Sequence, residues 1–339
     1  TTNKWLAKFA PEVYPAWWNE DEYFKGLTWE QAFNKLDWDG FTIKSTPLKA
    51  NGGLPQRGLT VSCCGQDFKN SIAAKAFARG ELEVLIKNSH GCSMTVSDWL
   101  AEGELYDSDG NRSHGIVPII DELQEATGAI NQGIRRGVTL FGVDALHGDF
   151  WKVAKKLFDE ADNLNIAWLM TDEFTKLLEQ GDEETIKRWN KILYIRMAKG
   201  KGYFTKIDTM NRNKAQIFKD KNLVIKGSNL CNEVNLPVTE DYSFTCVIIN
   251  ANLTMYRKFP KHLFYVLHVM QDCNVSGYIA EIESKTGYNS LFLNKVLKFT
   301  KDFRAVGTGV AGFHSLLMQE GIVFGSLDSF YLNNKIFKG

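Results

Sequence analysis

The amino-acid sequence predicts an α/β protein built around a parallel β-sheet. From residue 59 onward, strand-like and helix-like segments alternate, and this alternation is typical of parallel strands joined by helices. The composition is that of an ordinary globular protein, since 44% of the residues are hydrophobic and 24% are charged. The 339 residues suffice for one large domain or two ordinary ones.

The first predicted element is a short helix within a lead-in segment, residues 1–57, which is rich in Trp, Pro and Gly. Thr28 and Gln31 are spaced as in a capping box, and we expect the helix that they open to run to about Leu36. Beyond the lead-in, the predicted strands cover residues 59–64, 138–143, 164–170, 202–208 and 243–250. The predicted helices cover residues 70–87, 117–131, 149–161, 172–179, 183–198 and 263–282.

The charge balance gives no electrostatic case for a nucleic-acid or membrane partner, because Lys+Arg and Asp+Glu both number 40. No apolar run approaches the ~20 residues that span a bilayer. The N-terminal residues lack the charged-then-apolar pattern of a signal peptide. We therefore expect a cytoplasmic, reducing compartment, in which most of the six cysteines are inert thiols.

The most informative segment is the run from Gly227 to Pro237, in which Asn229, Cys231 and Glu233 alternate. In an extended strand or loop these three side chains would point the same way. A neighbouring carboxylate raises the pKa of a thiol, so we expect Cys231 to be a poor thiolate. This favours chemistry in which the sulfur carries a hydrogen atom and the carboxylate handles a proton. The alternative is a buried structural cysteine flanked by a wet Asn and Glu.

Two further cysteines lie in strand-like runs, Cys63 just before Gly65 and Cys246 within residues 242–250. The other three cysteines, Cys64, Cys92 and Cys273, are interpreted as structural. The chain has no C-x-x-C pair, and His90, His114 and His147 lack metal-ligand spacing relative to one another, so no metal site is predicted.

These runs, taken with the Asn-x-Cys-x-Glu segment, resemble the catalytic subunit of ribonucleotide reductases. The segments that carry the rest of the resemblance are Thr46-Pro47 and Ser62-Cys63 at the entry to the family's barrel, residues 132–137 as its effector-reading loop, residues 202–211 before its finger loop, and residues 305–313 as a glycine-rich stretch. The last of these contains a literal G-x-G-x-x-G pattern at residues 307–312. We interpret its glycines as close backbone packing and not as a dinucleotide site.

The resemblance implies part of a ten-stranded α/β barrel with a central finger loop, here at about residues 223–237. Residues 58–339 would form this partial catalytic barrel. The family's later strands, phosphate-binding segment and radical-transfer tyrosines have no counterpart in the sequence. We therefore expect a companion C-terminal catalytic polypeptide to complete the barrel.

The resemblance also implies roles for the residues that match the family's catalytic positions. Cys231, as a thiyl radical, would remove the 3′ hydrogen of a ribonucleotide and later return it. Glu233 would take the 3′-hydroxyl proton as general base, and Asn229 would hydrogen-bond the substrate hydroxyls. Cys63 and Cys246 would supply a proton and two electrons and end as a disulfide, so we expect them on adjacent strands.

The remaining site residues are also assigned by the resemblance. Thr46 and Ser62 match positions that contact the substrate. Asp67, Gln132 and Arg136 match positions that bind an allosteric effector, a deoxynucleoside triphosphate or ATP, and that relay its identity to substrate choice.

The predicted partners are a radical-generating, metal-containing small subunit and a second copy of the catalytic unit. No cofactor is expected on this chain itself. Two alternatives stay open, namely a non-catalytic assembly or regulatory fragment of the same fold and a component of a cobalamin-dependent ribonucleotide reductase.

Overall fold

The computed structural model describes residues 1–106, 109–130 and 136–338. The strands are β1 (Thr42–Lys44), β2 (Cys63–Gln66), β3 (Gly91–Thr95), β4 (Thr139–Asp144), β5 (Ile166–Met170), β6 (Tyr203–Lys206), β7 (Phe244–Cys246), β8 (Ile248–Asn252) and β9 (Gly307–Ala311). The α-helices are α1 (Thr2–Ala7), α2 (Trp29–Trp38), α3 (Thr46–Asn51), α4 (Ile72–Lys87), α5 (Val117–Gly128), α6 (Phe150–Asp159), α7 (Asp172–Glu179), α8 (Glu183–Lys199), α9 (Ile207–Asn213), α10 (Gln216–Asp220), α11 (Leu263–Glu283), α12 (Tyr288–Phe303), α13 (Phe313–Glu320) and α14 (Leu327–Lys338).

The chain divides into two compact units. The first combines residues 1–60, 247–280 and 304–339, and the second combines residues 61–246 and 281–303. No helix in the described part of the chain has the length and apolar character needed to cross a lipid bilayer.

The second unit contains a six-stranded sheet in the order β6-β5-β4-β3-β2-β7. The pairs from β2 to β6 are all parallel, which confirms the predicted α/β class and its parallel strands. Strand β7 is the exception, because it runs antiparallel to β2. Strands β4 and β5 are almost wholly buried, as expected for parallel strands with both faces covered.

Side-chain caps fix the starts of several helices that the sequence predicts. Thr28 forms the predicted capping box with Gln31 at the start of α2. The side chain of Ser71 caps α4 by accepting one backbone N–H, and that of Asp182 caps α8 by accepting two. Helix α8 ends at Gly200, whose left-handed backbone provides the usual C-terminal stop.

The strand predictions miss β1, β3 and β9 and merge two strands into one. The predicted strand at residues 243–250 is interrupted at Val247, so β7 pairs with β2 whereas β8 pairs with β1 and β9. The apolar run from Cys246 to Ile249 gives no sign of this break, although β7 is buried throughout and β8 is buried only at alternate positions. Strand β3 has only one strongly strand-favouring residue, Thr95, and its pairing with β2 and β4 overrides that weak propensity.

The first unit is built on the three-stranded sheet β1-β8-β9. Its core joins residues of the lead-in, including Trp18, Phe24 and Phe33, to buried residues of β8 and α11. A Cβ atom added at Gly309 of β9 would collide with the side chain of Asn250 on β8. Close packing of two strands therefore accounts for this glycine, in agreement with the interpretation of the G-x-G-x-x-G pattern.

Candidate active site

Cys63 and Cys246 are direct partners in the antiparallel ladder between β2 and β7. Directly opposed residues in such a ladder have Cα atoms about 4.5–5.5 Å apart, within the range that permits a disulfide. The prediction that these cysteines occupy adjacent strands is confirmed. Both are buried, and Gly65 beside them leaves room for the ring of Phe244, which occupies the space that a Cβ atom would need.

The segment predicted to be the finger loop has no regular strand or helix from Leu223 to Pro237. Its first half is fixed to the sheet by two hydroxyl groups of β3. Ser93 Oγ donates to the carbonyl oxygen of Ser228 at 2.5 Å, and Thr95 Oγ1 donates to that of Lys226 at 2.9 Å. Asn211 of α9 binds both backbone groups of Ile225, at 2.8 and 2.9 Å. Side chains therefore hold this half of the loop in place, because its backbone is not paired with any strand.

The tip of the loop is a compact turn closed by Ser228 and Val234. Ser228 Oγ donates to the carbonyl oxygen of Val234 at 2.7 Å and accepts its N–H at 3.1 Å. Within the turn, Asn229 Oδ1 accepts the N–H groups of Glu233 and Val234 at 3.0 and 3.1 Å. Asn229 Nδ2 donates to Glu233 Oε1 at 2.8 Å. The fully buried Asn229 thus orients the carboxylate of Glu233.

The prediction that Asn229, Cys231 and Glu233 share a face because they alternate in an extended segment is wrong. Asn232 has a left-handed backbone with φ 62°, which turns the chain between Cys231 and Glu233. The three functional groups are gathered by hydrogen bonds instead. The thiol of Cys63 forms hydrogen bonds with the thiol of Cys231 and with the side chain of Asn229. Asn229 in turn donates a hydrogen bond to Glu233.

Cys231 is the exposed cysteine of the six, and its thiol is more acidic than usual. The hydrogen bond with the Cys63 thiol lowers the pKa of Cys231 to about 7, although partial burial and the Glu233 carboxylate both act to raise it. The spacing of Cys231 and Glu233 predicts the effect of the carboxylate, but not the stronger effect of the Cys63 thiol. The expectation that Cys231 is a poor thiolate is therefore wrong.

The two partner cysteines are shifted in the opposite direction. The pKa of Cys63 is raised by its hydrogen bond to Cys231 and by burial. Burial, followed by the charges of Glu233 and Cys231, raises the pKa of Cys246 to about 12. Near neutral pH the cluster therefore holds two protonated thiols on paired strands and one more acidic thiol, which is hydrogen-bonded to Cys63. Such a set can exchange protons among sulfurs and can close one disulfide, between Cys63 and Cys246.

Behind the cysteine strands lies a buried carboxylate, that of Glu81 on α4. It accepts from Gln66 Nε2 of β2 at 2.9 Å and from Ser243 Oγ, just before β7, at 2.7 Å. The Nζ atom of Lys295 on α12 is 3.9 Å away. Burial raises the pKa of Glu81 despite these partners. This network joins the far ends of the two strands that carry Cys63 and Cys246.

The predicted substrate contacts fall in different units. Ser62 is half-buried next to Cys63, and its carbonyl oxygen accepts the N–H of Gly91 at 2.8 Å. Thr46 is exposed at the start of α3 in the first unit.

The predicted effector residues do not form a single cluster in the described structure. The buried Asp67, at the carboxyl end of β2, accepts from Lys226 Nζ at 2.6 Å. The exposed Arg136, before β4, lines a cavity of about 870 Å³ together with Lys156 and Glu160. From the strand register, Asp67 and Arg136 lie about 20 Å apart along the strand direction. Gln132 lies outside the described residues, so the effector assignment stays a prediction.

Four residues that hold the finger loop escape the sequence analysis. They are Ser93, Thr95, Thr205 and Asn232. Ser93 and Thr95 stand two apart and so share a face of β3, a signal that depends on recognising that strand. Asn232 carried a weak signal of its own, because Asn is the residue after Gly that best tolerates a left-handed turn.

The fold and site define an α/β protein with a cross-strand pair of thiols beside a loop-borne thiol and carboxylate. A model of the ribonucleotide reductase barrel domain matches residues 61–188 and 185–339. The chain belongs to this family, as its motifs predict.

Named relatives and a solved structure agree with this assignment. The chain is 27% identical over 251 residues to a putative ribonucleoside-diphosphate reductase large subunit of Frog virus 3 (isolate Goorha), covering 67% of this chain and 44% of that protein. It is 31% identical over 204 residues to the large subunit of Invertebrate iridescent virus 3, covering 58% and 30%. The chain thus spans less than half the length of these curated relatives.

The class Id ribonucleotide reductase alpha subunit of Actinobacillus ureae has a similar structure. The TM-score is 0.84 at 24% identity, over 99% of this chain and 61% of that one. The similarity confirms that the predicted fold is that of part of the ribonucleotide reductase barrel.

Proposed function

We propose that this chain carries the catalytic cysteines of a ribonucleoside-diphosphate reductase, which converts ribonucleotides to deoxyribonucleotides for DNA synthesis. The observation that carries the proposal is the gathering of Cys63, Cys246 and Cys231 around Asn229 and Glu233. Two adjacent thiols suit the supply of two electrons, and a separate thiol with a nearby carboxylate suits hydrogen-atom and proton transfer.

Each group has a distinct task in the proposed reaction. A radical supplied by a metal-containing small subunit would oxidise the Cys231 thiol, and the acidity of that thiol eases loss of its proton. Cys231 then takes the 3′ hydrogen of the substrate while Glu233 accepts the 3′-hydroxyl proton. Loss of the 2′-hydroxyl as water takes a proton from one thiol of the Cys63–Cys246 pair, and the hydrogen of the other thiol is delivered to C2′. Those two sulfurs provide both electrons and join as a disulfide. Glu233 then returns the proton to the 3′-oxygen, and Cys231 returns the hydrogen to C3′.

The geometry favours a revised task for Asn229. Its amide is occupied by Glu233 and by two backbone N–H groups of the turn. In the proposed reaction the main task of Asn229 is to orient Glu233, the general base. Asn229 contacts the substrate hydroxyls only through amide hydrogens or lone pairs that these bonds do not use.

The proposal includes partners that supply the rest of the barrel and the radical. An apolar face of α14 supports the first of these, since Leu327, Phe330 and Tyr331 are more than half exposed. Further catalytic-subunit sequence, on a companion polypeptide, would cover such a face. The assembled catalytic units would pair as dimers, bind a nucleotide effector near Arg136 and work in a reducing cytoplasm.

The test is turnover of ribonucleoside diphosphates after the chain is mixed with the remaining catalytic polypeptide and a small subunit. Cys231→Ser should assemble normally but lose turnover, because a hydroxyl cannot replace the thiol in hydrogen-atom transfer. Cys273→Ala, a change at a buried cysteine of α11, should retain it. Equal turnover of Cys231→Ser and the unmodified chain would refute the proposed role. Normal assembly without turnover by any form would favour a non-catalytic assembly role.

A further inference from the structure

The turn that carries Cys231 is anchored at its tip by a contact that the proposed chemistry does not itself require. Asn232 lies between Cys231 and Glu233, and its side chain is directed to strand β6. Thr205 Oγ1 donates to Asn232 Oδ1 at 2.8 Å. Asn232 Nδ2 makes a second, long contact of 3.5 Å with the carbonyl oxygen of Phe204. One side chain thus reaches two neighbouring residues of the sheet.

The hydroxyl that holds Asn232 is well placed to act as a fixed point. Thr205 is fully buried, whereas its neighbours Phe204 and Lys206 are exposed. A buried hydroxyl needs a partner, and Asn232 provides one. The bond therefore stabilises both Thr205 on the strand and Asn232 in the loop.

The anchor attaches the tip to strand β6, whereas the other contacts of the loop with the sheet attach it to β2 and β3. Ser93 holds residue 228, where the tip begins, and Thr95 holds residue 226, which precedes it. Asn232 is within the tip, and its backbone N–H also donates to the carbonyl oxygen of Asn229 at 2.9 Å. It therefore connects the turn that positions Glu233 to the strand beneath.

We propose that Asn232 is a positioning residue, which Thr205 holds so that Cys231 and Glu233 are presented to the substrate in one fixed arrangement. The inference rests on the proposed function, because it assigns a task within that reaction. Reacting groups must be held near their productive geometry, and a displacement of about 1 Å can reduce rates about 100-fold. Without the bond to Thr205, the tip would lose its attachment to β6 and would move more freely.

A simpler reading is that Asn232 only tolerates the left-handed backbone of the turn. Glycine tolerates that backbone at least as well, so Asn232→Gly would then leave the site unchanged. Under our proposal Asn232→Gly keeps the turn but loses the anchor. Thr205→Val removes the same bond from the other side with little change in shape, and Thr205→Ser retains the hydroxyl.

The first measurement is the pH dependence of Cys231 alkylation by iodoacetamide on the intact chain. Cys231 is exposed and the other five cysteines are buried, so the native protein should react at this position. A loosened tip weakens the bond to Cys63, so Asn232→Gly and Thr205→Val should both raise the midpoint pH. Near pH 7 the alkylation rate should fall about fivefold. The loss of one hydrogen bond changes the ratio of anchored to loosened tip by about this factor.

Thr205→Ser should restore the behaviour of the unmodified chain. Thr127→Val is the matched control, since it removes another buried hydroxyl, which donates to the carbonyl oxygen of Leu123 at 2.7 Å, far from the loop along the chain. Its thermal stability should fall without any change in the alkylation midpoint. Unchanged midpoints in both Asn232→Gly and Thr205→Val would overturn the proposal.

The second measurement uses the assembled enzyme. Asn232→Gly should lower kcat by about tenfold or more with little change in KM, because the loss concerns the arrangement of reacting groups and not substrate binding. An unchanged kcat would refute the positioning role. If even the unmodified enzyme fails to reduce ribonucleotides, the proposed function is wrong, whereas the alkylation profiles still decide whether Asn232 anchors the thiol.

Discussion

The acidity of Cys231 depends mainly on one neighbouring thiol. The hydrogen bond from Cys63 lowers the pKa of Cys231 to about 7, against the opposing effects of burial and Glu233. The environment of the two sulfurs explains which one is the more acidic. Cys231 is exposed and can be solvated as a thiolate, whereas Cys63 is buried beside Cys246.

Removing the Cys63 thiol should therefore make Cys231 less acidic. In Cys63→Ala we expect the alkylation midpoint of Cys231 to rise from about 7 toward the ordinary value of about 8.5 for a free cysteine. The rate at neutral pH should fall accordingly, because less thiolate is present. Cys246→Ala is the control, since Cys246 does not contribute to the pKa shift of Cys231. A midpoint that stays near 7 in Cys63→Ala would contradict the assigned cause.

The residues of the site were predictable where residue type and spacing carry the chemistry. Three cysteines with Asn229 and Glu233 could be found from the sequence, because their motif is specific. The sign of the Cys231 pKa shift could not, since it depends on a sulfur 168 positions earlier in the chain. Thr205 was also out of reach, because nothing in residues 202–208 indicates which hydroxyl will meet the loop.

Among the strands and helices, the contact between β2 and β7 determines whether the cysteine pair can form. Gly65 permits that contact, because the ring of Phe244 fills the space beside its Cα atom. Phe244 is itself buried and has little freedom to move away.

Gly65→Ala should separate the two strands. We expect a loss of about 1–3 kcal/mol in the free energy of unfolding, typical of overpacking a core, and slower disulfide formation between Cys63 and Cys246. Gly128→Ala at the end of α5 is the matched control, because a Cβ atom there meets nothing within 4 Å. That variant should be more stable by up to about 1 kcal/mol. Denaturant unfolding and peptide mapping after mild oxidation would measure both effects, and equal stabilities would argue against the packing explanation.

The buried carboxylate of Glu81 makes stability depend on pH. Burial raises its pKa in the folded state above the usual 4.5, so the folded protein favours the protonated form. The stability contributed by that form is complete below pH 4.5 and is lost as pH rises through the folded-state pKa. Glu81→Gln removes this dependence.

The difference in unfolding free energy between Glu81→Gln and the unmodified chain should therefore shift in favour of the variant as pH rises above 4.5. Glu122→Gln provides a contrast, because the hydrogen bond to Lys75 lowers the pKa of Glu122. The unfolding free energy of this variant, relative to the unmodified chain, should therefore fall as pH rises. Urea unfolding at several pH values would measure both trends. A difference for Glu81→Gln that is independent of pH would show that the carboxylate is equally solvated in both states.

Helices were more predictable than strands in this chain. Predicted helices such as α7 and α8 agree with the structure within one residue, because caps and apolar spacing are local signals. Strands β1, β3 and β9 depend on partners that are distant in sequence, and their short runs have little pattern of their own. The break at Val247 likewise follows from pairing with two different sheets.

At the scale of the molecule, helix α14 presents an apolar face that the described residues leave exposed. Leu327, Phe330 and Tyr331 lie on this face, with exposed fractions of 75%, 59% and 65%. Leu332 and Ile336 of the same helix pack against the small core cluster that includes Leu253 and Leu316. The helix is therefore apolar on two sides, one of which is packed.

We expect this face to make the isolated chain self-associate and bind hydrophobic dyes. The double substitution Leu327→Lys and Phe330→Lys should reduce both effects and change the unfolding free energy by only about 0.5 kcal/mol, as for other surface changes. Leu332→Lys, the same chemical change on the packed side, should destabilise the first unit instead. Light scattering and dye fluorescence would measure the association, and equal association of the double variant and the unmodified chain would exclude this face as the cause.

The pairing of β7 with β2 also has a consequence for the order in which the molecule is built. Strands β2 to β6 each pair with the next strand along the chain, so these contacts can form progressively. Strand β7 instead returns to the first of them and joins residue 246 to residue 63. Closing so long a loop is entropically unfavourable, and contacts of this kind slow folding. We therefore expect Cys63 and Cys246 to become adjacent only after the intervening strands have paired. The ability to form their disulfide should accordingly appear late in refolding.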